Sequence, residues 1–265
     1  MKINIVCVNY NSYSKLYKYL KSIEDALVNV PDVEVSIYIA DNSTRKENFT
    51  YYGKLNCTVY DFDNKGYFGG ALDIINKLDS VCIDDYTIIS NVDITIGEDF
   101  FKELCSLNVS ENCGWLAPQI YSFQECRDKN PQRIKRCTKQ KIKQLIFLFK
   151  HPILQRFYKK TFYKRKHADK SFEPGIEIYC GHGSFIMLTK RFFQNYATLS
   201  YPCFLYCEEL FLGELVRNVD LKVYYYPQLK VLDEEHVSTS QLPSKAYYSY
   251  NLESLKFILN NFYKD

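Results

Sequence analysis

The chain is 265 residues long, 46% hydrophobic and 25% charged, which suits one large α/β domain or a domain carrying an insertion. Ten cysteines, at positions 7, 57, 82, 105, 113, 126, 137, 180, 203 and 207, form no CxxC pair, which excludes a disulfide framework or zinc site and points to reduced core residues of a cytosolic protein. The net charge of +3 hides a division: between Arg127 and Lys170 sixteen Lys/Arg face two acids, Asp128 and Asp169, while the rest of the chain has eighteen basic and twenty-nine acidic residues. Such blocks point to an acidic partner for the basic segment.

The opening Met1-Lys2-Ile3-Asn4-Ile5-Val6 has a polar break that a signal peptide lacks. No apolar run reaches the length of a membrane span. Ile3 to Val8 is a continuous apolar run of strand length, ending at Asn9-Tyr10-Asn11. Leu16, Leu20, Ile23 and Leu27 then share one helical face. A second strand, Val33 to Ala40, ends at Asp41-Asn42-Ser43, and a third, Cys57 to Phe62, ends at Asp63-Asn64-Lys65-Gly66. A helix is expected from Gly69-Gly70 to about Leu78, then a fourth strand, Tyr86 to Ser90, ending at Asn91-Val92-Asp93. This alternation predicts a parallel sheet covered by helices, with the polar clusters at the carboxyl ends of the strands converging on one crevice. Residues 123–172 break the rhythm with a basic stretch around the apolar core Leu145 to Phe149. Strands are expected at Ile176 to Cys180, Phe185 to Leu188 and Val223 to Leu232, and helices from Glu208 to Asn218 and from Ser244 to Tyr263.

The clusters suggest chemistry. Asp93, a carboxylate at a strand end, suits Mg2+ or Mn2+ shared with substrate phosphates, and such an ion neutralises a leaving diphosphate. The same residue could instead cap a helix over Gly97 to Leu104. Asp41 could hydrogen-bond a base or ribose, or be ordinary turn chemistry. In Asn64-Lys65-Gly66-Tyr67-Phe68-Gly69-Gly70 the glycines permit close backbone approach before a helix N-terminus, which suits an anionic group. It is neither a GxGxxG fingerprint nor a P-loop. Glu208-Glu209, flanked by Phe204-Leu205-Tyr206 and Leu210-Phe211-Leu212, could be a general base whose pKa burial raises, or two acids favoured by a helix dipole. His236 could bind a metal or diphosphate through a ring nitrogen, or be structural. His182 between two glycines suggests a tight turn, and His151 and His167 solvated charge.

In order, these clusters resemble the inverting glycosyltransferases of family 2. The resemblance rests on Val8-Asn9-Tyr10-Asn11, Ala40-Asp41-Asn42-Ser43, Asn64-Lys65-Gly66 with Gly69-Gly70, and Asn91-Val92-Asp93 as a DxD-like element. It continues through Gly183-Ser184-Phe185-Ile186-Met187-Leu188 with Lys190-Arg191, Phe204-Leu205-Tyr206 with Glu208-Glu209, and His236 with Ser240. The pattern is most similar to the branch called rhamnosyltransferase-like, which builds bacterial surface polysaccharides. It implies a GT-A fold: a mixed, mainly parallel, Rossmann-like sheet flanked by helices, with a basic, largely helical insertion and a C-terminal helix. It implies that Val8, Asn9, Tyr10, Asn11, Asp41, Asn42, Asn64, Lys65, Gly66, Gly69 and Asn91 hold a UDP- or dTDP-sugar. Asp93 and His236 would hold Mn2+ or Mg2+, Glu209, preceded by Glu208, would be the base, and Gly183, Ser184 and Tyr206 would meet the sugars. The acceptor would be a hydroxyl of a glycan or lipid-linked oligosaccharide, with no nucleic acid involved. The family commonly has Glu-Asp where this chain has Glu208-Glu209, and its metal motif begins here with Asn91, leaving one carboxylate.

The expected organisation is a nucleotide-sugar half (1–122), a basic insertion (123–172) and an acceptor-side half (173–265) of one domain. Basic residues around an apolar core suit an anionic membrane surface, so a cytoplasmic protein, peripheral on the inner face of the membrane, is expected; a solvated basic face or an oligomer contact would look the same. Two other classes compete. A sugar-nucleotide-forming enzyme would need a Gly-rich basic loop where Asn9-Tyr10-Asn11 stands. A non-catalytic nucleotide- or nucleic-acid-binding module would use residues 127–170.

Overall fold

The computed structural model describes residues 1–158, 172–233 and 243–264. His236, Ser240 and the basic run 159–170 lie outside these residues. The first half alternates as its sequence predicts: β1 (Lys2–Asn9), α1 (Tyr13–Ala26), β2 (Glu34–Asp41), β3 (Asn56–Asp61), α2 (Tyr67–Ile75) and β4 (Tyr86–Asn91). β1 is buried from Ile3 to Asn9, as a central parallel strand covered on both faces must be. Its side chains alternate between two cores. Val6 and Val8 face α2 and α7 (Glu208–Asn218), while Ile5 and Cys7 face α1 through Leu16, Leu20 and Ile23.

The remaining elements are β5 (Ile94–Ile96), α3 (Phe100–Ser106), β6 (Cys113–Ser122), β7 (Arg127–Asp128), α4 (Lys139–Lys150), α5 (Pro152–Tyr158), β8 (Ile176–Ile178), β9 (Phe185–Thr189), α6 (Lys190–Asn195), β10 (Lys222–Asp233) and α8 (Ser244–Phe262). The sheet runs β3-β2-β1-β4-β9-β6-β10-β5, with β7 on β6 and β8 on β10. β1 to β4 pair in parallel, as do β6 and β10, but β9 lies antiparallel between β4 and β6. Hence the carboxyl ends of β1, β2, β4, β6 and β10 and the amino end of β9 share one edge of the sheet. β6 carries Pro118, which has no N–H to give to a ladder, and β10 shifts register opposite it between Tyr226 and Lys230.

The described residues of the stretch 123–172 form a strand as well as helices. β7 extends the sheet, Arg136 reaches the core, and α4 packs on α8. Glu214, in the middle of α7 and fully buried, is the anchor. It accepts from Arg136 Nε at 2.7 Å, the Tyr179 hydroxyl at 2.8 Å and Arg217 Nε at 3.3 Å. Arg136 also donates to the Phe262 carbonyl at 2.8 Å and lies 4.0 Å from the Tyr263 ring centroid. The Tyr263 hydroxyl donates to the Cys137 carbonyl at 2.8 Å. A charge taken out of water is tolerated only when so paired. Glu214→Gln should therefore cost about 3–5 kcal/mol, read as a lower urea midpoint with unchanged slope.

Candidate active site

A cavity of about 540 Å3 opens at the shared edge of the sheet. Val8, Tyr10, Asn42, Asn64, Gly66, Tyr67, Asn91 and Asp93 form one wall. Gly183, Ser184, Tyr206, Glu208 and Glu209 form another. Leu145, Leu148 and Phe149 from α4 close over it with Tyr247, Asn251 and Leu255 from α8. Topology makes this convergence. The antiparallel entry of β9 sets Ser184 against β4, where the Asn91 N–H donates to the Ser184 carbonyl at 3.0 Å. The Tyr67 hydroxyl crosses to the Gly183 carbonyl at 2.8 Å and ties the two walls together.

Asp93 lies in the turn between β4 and β5, and the N-cap of α3 is Asp99. Capping α3 is therefore not the role of Asp93. Its neighbour Ile94 pairs with Asp233 across β5 and β10, which brings the carboxyl end of β10 to the same place. Asp233 lines the cavity and forms a buried ion pair with Lys129 at 2.8 Å.

Asp41 is not a solvated turn. It is 2% exposed and accepts from Tyr13 at 2.6 Å, Asn9 at 3.1 Å and the Ser43 N–H at 3.1 Å. Burial pushes its pKa up, but the hydrogen bonds from Ser43 and Tyr13 and the charge of Lys46 outweigh burial and hold it below the usual value. Asn9 also donates to Ser43 Oγ at 3.1 Å, and Asn11 to Thr44 at 3.0 Å. Lys65 is bound to Asp73 at 2.6 Å. Asn9, Asn11, Asp41, Lys65 and Gly69 are therefore behind the wall rather than in it. They brace the loops that carry Tyr10, Asn42, Asn64 and Gly66.

Gly66 adopts φ +79°, and a Cβ there would stand 1.8 Å from the Phe204 carbonyl oxygen. The Asn64 side chain accepts the Gly66 N–H at 3.0 Å, and Asn42 donates to the Gly66 carbonyl at 2.8 Å. Asn42 Oδ1 is buried without a partner among the described residues. His182 also lines the cavity. Its Nδ1 accepts the Ser184 N–H at 3.2 Å, so the neutral ring carries its proton on Nε2. Burial, then the Lys129 charge, lowers its pKa to about 4.

Glu208 and Glu209 open α7, so they are first-turn acids and cavity residues at once. The turn before them is strained: Tyr206 and Cys207 have φ 72° and 63°, left-handed values that cost non-glycine residues about 1–3 kcal/mol each. The Tyr201 hydroxyl holds the Tyr206 carbonyl, and the Phe211 N–H donates to the Cys207 carbonyl at 3.0 Å. Glu208 lies against Gly183, where a Cβ would come within 2.6 Å of its Oε1. Burial, then the charge of Glu209, pushes the Glu208 pKa up to about 8. Burial also raises Glu209, opposed by the Arg133 guanidinium and a hydrogen bond from Gln132. Both carboxyls of the adjacent pair therefore hold a proton to higher pH than a free carboxylate, and they titrate as a pair.

Lys129, Gln132, Arg133 and Asp233 are wall residues that the sequence did not single out, and His182, expected in a tight turn, lines the wall as well. Lys129 and Arg133 are submerged in a run of sixteen basic residues, where charge alone distinguishes none of them.

No family model and no curated protein matches the chain. Solved structures do. The structure of S. aureus TarS 1–349 in complex with UDP-GlcNAc aligns with a TM-score of 0.61 and 11% identity over 100% of this chain and 68% of that one. GalNAc-T7 with UDP, GalNAc and Mn2+ aligns with a TM-score of 0.63 and 11% identity over 98% of this chain and 48% of that one. The chain has the GT-A glycosyltransferase fold.

Two predictions follow from the walls. Gly66→Ala meets a backbone oxygen in a left-handed conformation and should destabilise the fold by about 3 kcal/mol, measured by denaturant unfolding. The raised pKa of Glu208 gives a pH signature. The folded chain keeps a proton that the unfolded chain loses near the ordinary value of 4.5, so stability falls as pH rises from there to about 8 and levels beyond. Glu208→Gln removes this term, so its melting temperature relative to wild type should climb across that window. A difference that does not vary with pH would mean that Glu208 titrates normally.

Proposed function

We propose that the chain is an inverting glycosyltransferase that moves a sugar from a UDP- or dTDP-sugar to a hydroxyl of a glycan or lipid-linked acceptor. What carries the reading is the meeting of Asp93 with Glu208 and Glu209 in one cavity at the carboxyl edge of a GT-A sheet. The nucleotide lies along Val8, Tyr10, Asn42, Asn64 and Asn91, with its diphosphate toward Asp93 and the start of α2. Asp93 is an oxygen ligand of the kind that Mg2+ and Mn2+ take together with substrate phosphates. Among the described residues it has no cluster of carboxylates, thiols or imidazoles around it, and His236 is the expected second ligand. When bound, the ion supplies Lewis-acid neutralisation of the leaving diphosphate.

The chain's own residues do the rest. Glu209, whose charged form Arg133 and Gln132 favour against burial, takes the proton of the acceptor hydroxyl as its oxygen attacks the anomeric carbon in one displacement. Glu208, its pKa pushed up to about 8, stands beside it, and Gly183 gives it room. Tyr206 and Tyr247, edge-on at 5.5 Å, offer flat faces to a sugar ring.

UDP or dTDP with Mn2+ should raise the melting temperature, and Asp93→Asn should weaken the metal-dependent part of that shift. Glu209→Gln should lower transfer by about 10²–10⁴-fold with nucleotide binding unchanged. Full transfer by that variant would remove Glu209 as the base, and no shift with any nucleotide would remove the glycosyltransferase reading.

Peripheral attachment to the inner face of the cytoplasmic membrane belongs to the same proposal. No helix among the described residues is long and apolar enough to cross a membrane. Phe147, Ile153 and Leu154 are exposed on α4 and α5, beside Lys139, Lys141, Lys143 and Lys150. Apolar side chains within a basic field suit an anionic bilayer. The chain should float with vesicles containing anionic lipid and not with neutral ones, and Phe147→Glu should abolish flotation. Equal behaviour toward both vesicle types would sink the idea.

A further inference from the structure

Arg133 has a place in the cavity wall that tuning Glu209 does not account for. Its backbone is clamped: its carbonyl accepts the N–H groups of Tyr179 at 2.9 Å and Cys180 at 3.2 Å, and its own N–H donates to the Cys180 carbonyl at 3.1 Å. From this fixed point the side chain lines the cavity with Cys207 and Glu209, and Glu209 is its neighbouring acid. Other partly buried arginines are paired: Arg127 with Glu125, and Arg136 with Glu214. Arg133 differs. Its Nε is buried and finds no acceptor among the described residues. A buried donor without a partner is costly and persists where a ligand completes it.

Resting on the glycosyltransferase reading, we propose that Arg133 is an oxyanion receptor on the acceptor side, and that the acceptor carries a phosphate ester or carboxylate next to the hydroxyl delivered to Glu209. A guanidinium presents parallel N–H donors that match two oxygens of such a group. The position beside Glu209, the proposed base, assigns it to the acceptor rather than to the donor diphosphate. The basic segment that carries Arg133 draws anions toward this mouth, and Leu148, Phe149 and Tyr247 supply apolar and aromatic surface for the rest of the molecule. The neighbouring acids do not oppose this: Asp233 is paired with Lys129, and burial shifts both Glu208 and Glu209 toward the neutral form.

The test is binding to the full chain by calorimetry, with and without saturating UDP and Mn2+. The probes are methyl phosphate, glucuronic acid and the neutral methyl glucoside. At least one oxyanion should bind about tenfold more tightly than the glucoside, and Arg133→Gln should cost about tenfold in that affinity with UDP affinity unchanged. Arg133→Lys, which keeps the charge and most of the volume, should fall between the two and guards against misfolding of the first variant. A preference for methyl phosphate points to a phosphorylated glycan or lipid-phosphate acceptor, and a preference for glucuronic acid to an acidic sugar. Equal binding of the three probes, no binding by the wild type, or unchanged oxyanion affinity in both variants overturns the proposal. Loss of oxyanion binding in Arg133→Gln by a chain that does not bind UDP would leave the receptor standing and overturn the glycosyltransferase reading instead.

Discussion

Glu214 is a carboxylate with no access to water, and three separate parts of the chain have to bring it donors. Tyr179 comes from the stretch before β9, Arg136 from the basic segment, and Arg217 from its own helix. The cost of removing a carboxylate from solvent is recovered only when all three arrive together. Arg136 then binds the end of α8. One ion thus fixes the register of α7, and α7 begins with Glu208 and Glu209. The placement of the acid pair in the cavity depends on a charge six residues further along the same helix, on its buried side.

Other contacts around the cavity depend on close approach instead. Gly66 lies under the Phe204 carbonyl, Gly70 under the Asn42 amide, and Gly183 against the Glu208 carboxylate. At each point a methyl group would collide with a backbone or polar atom of the other segment. The left-handed pair Tyr206 and Cys207 is the counterpart of this economy of space: the chain turns into α7 within two residues because Phe204 is already held against Gly66. Strain of this kind is kept where the surroundings over-determine it.

Much of the first half was legible. β1 is a continuous apolar run, β2 to β4 are strand-length segments rich in β-branched and aromatic residues, and the Asn- and Asp-rich end of each reaches the same sheet edge. β6 was not legible, since Gly114 and Pro118 interrupt it, although Trp115 within it is fully buried. Nor was the direction of β9, because strand direction is a property of the path between elements and leaves no local pattern. At the site, the sequence left Asp93 open between ligand and cap, and the position of α3 removes the capping reading. Asp41 looked like turn chemistry because its donors, Tyr13 and Asn9, are separated from it by about thirty residues. Arg133 was one positive charge among many; only an unanswered Nε distinguishes it.

α4 is twelve residues long and serves three environments. Ile142 and Ile146 are buried in the core, Leu145, Leu148 and Phe149 look into the cavity, and Phe147 looks outward among lysines. These three rows are interleaved along one rigid rod, so none can move without the others. A substitution in any one row is therefore felt by the other two: a change at Ile142 or Ile146 that tilts α4 on the core would shift the cavity side chains and the outer row together.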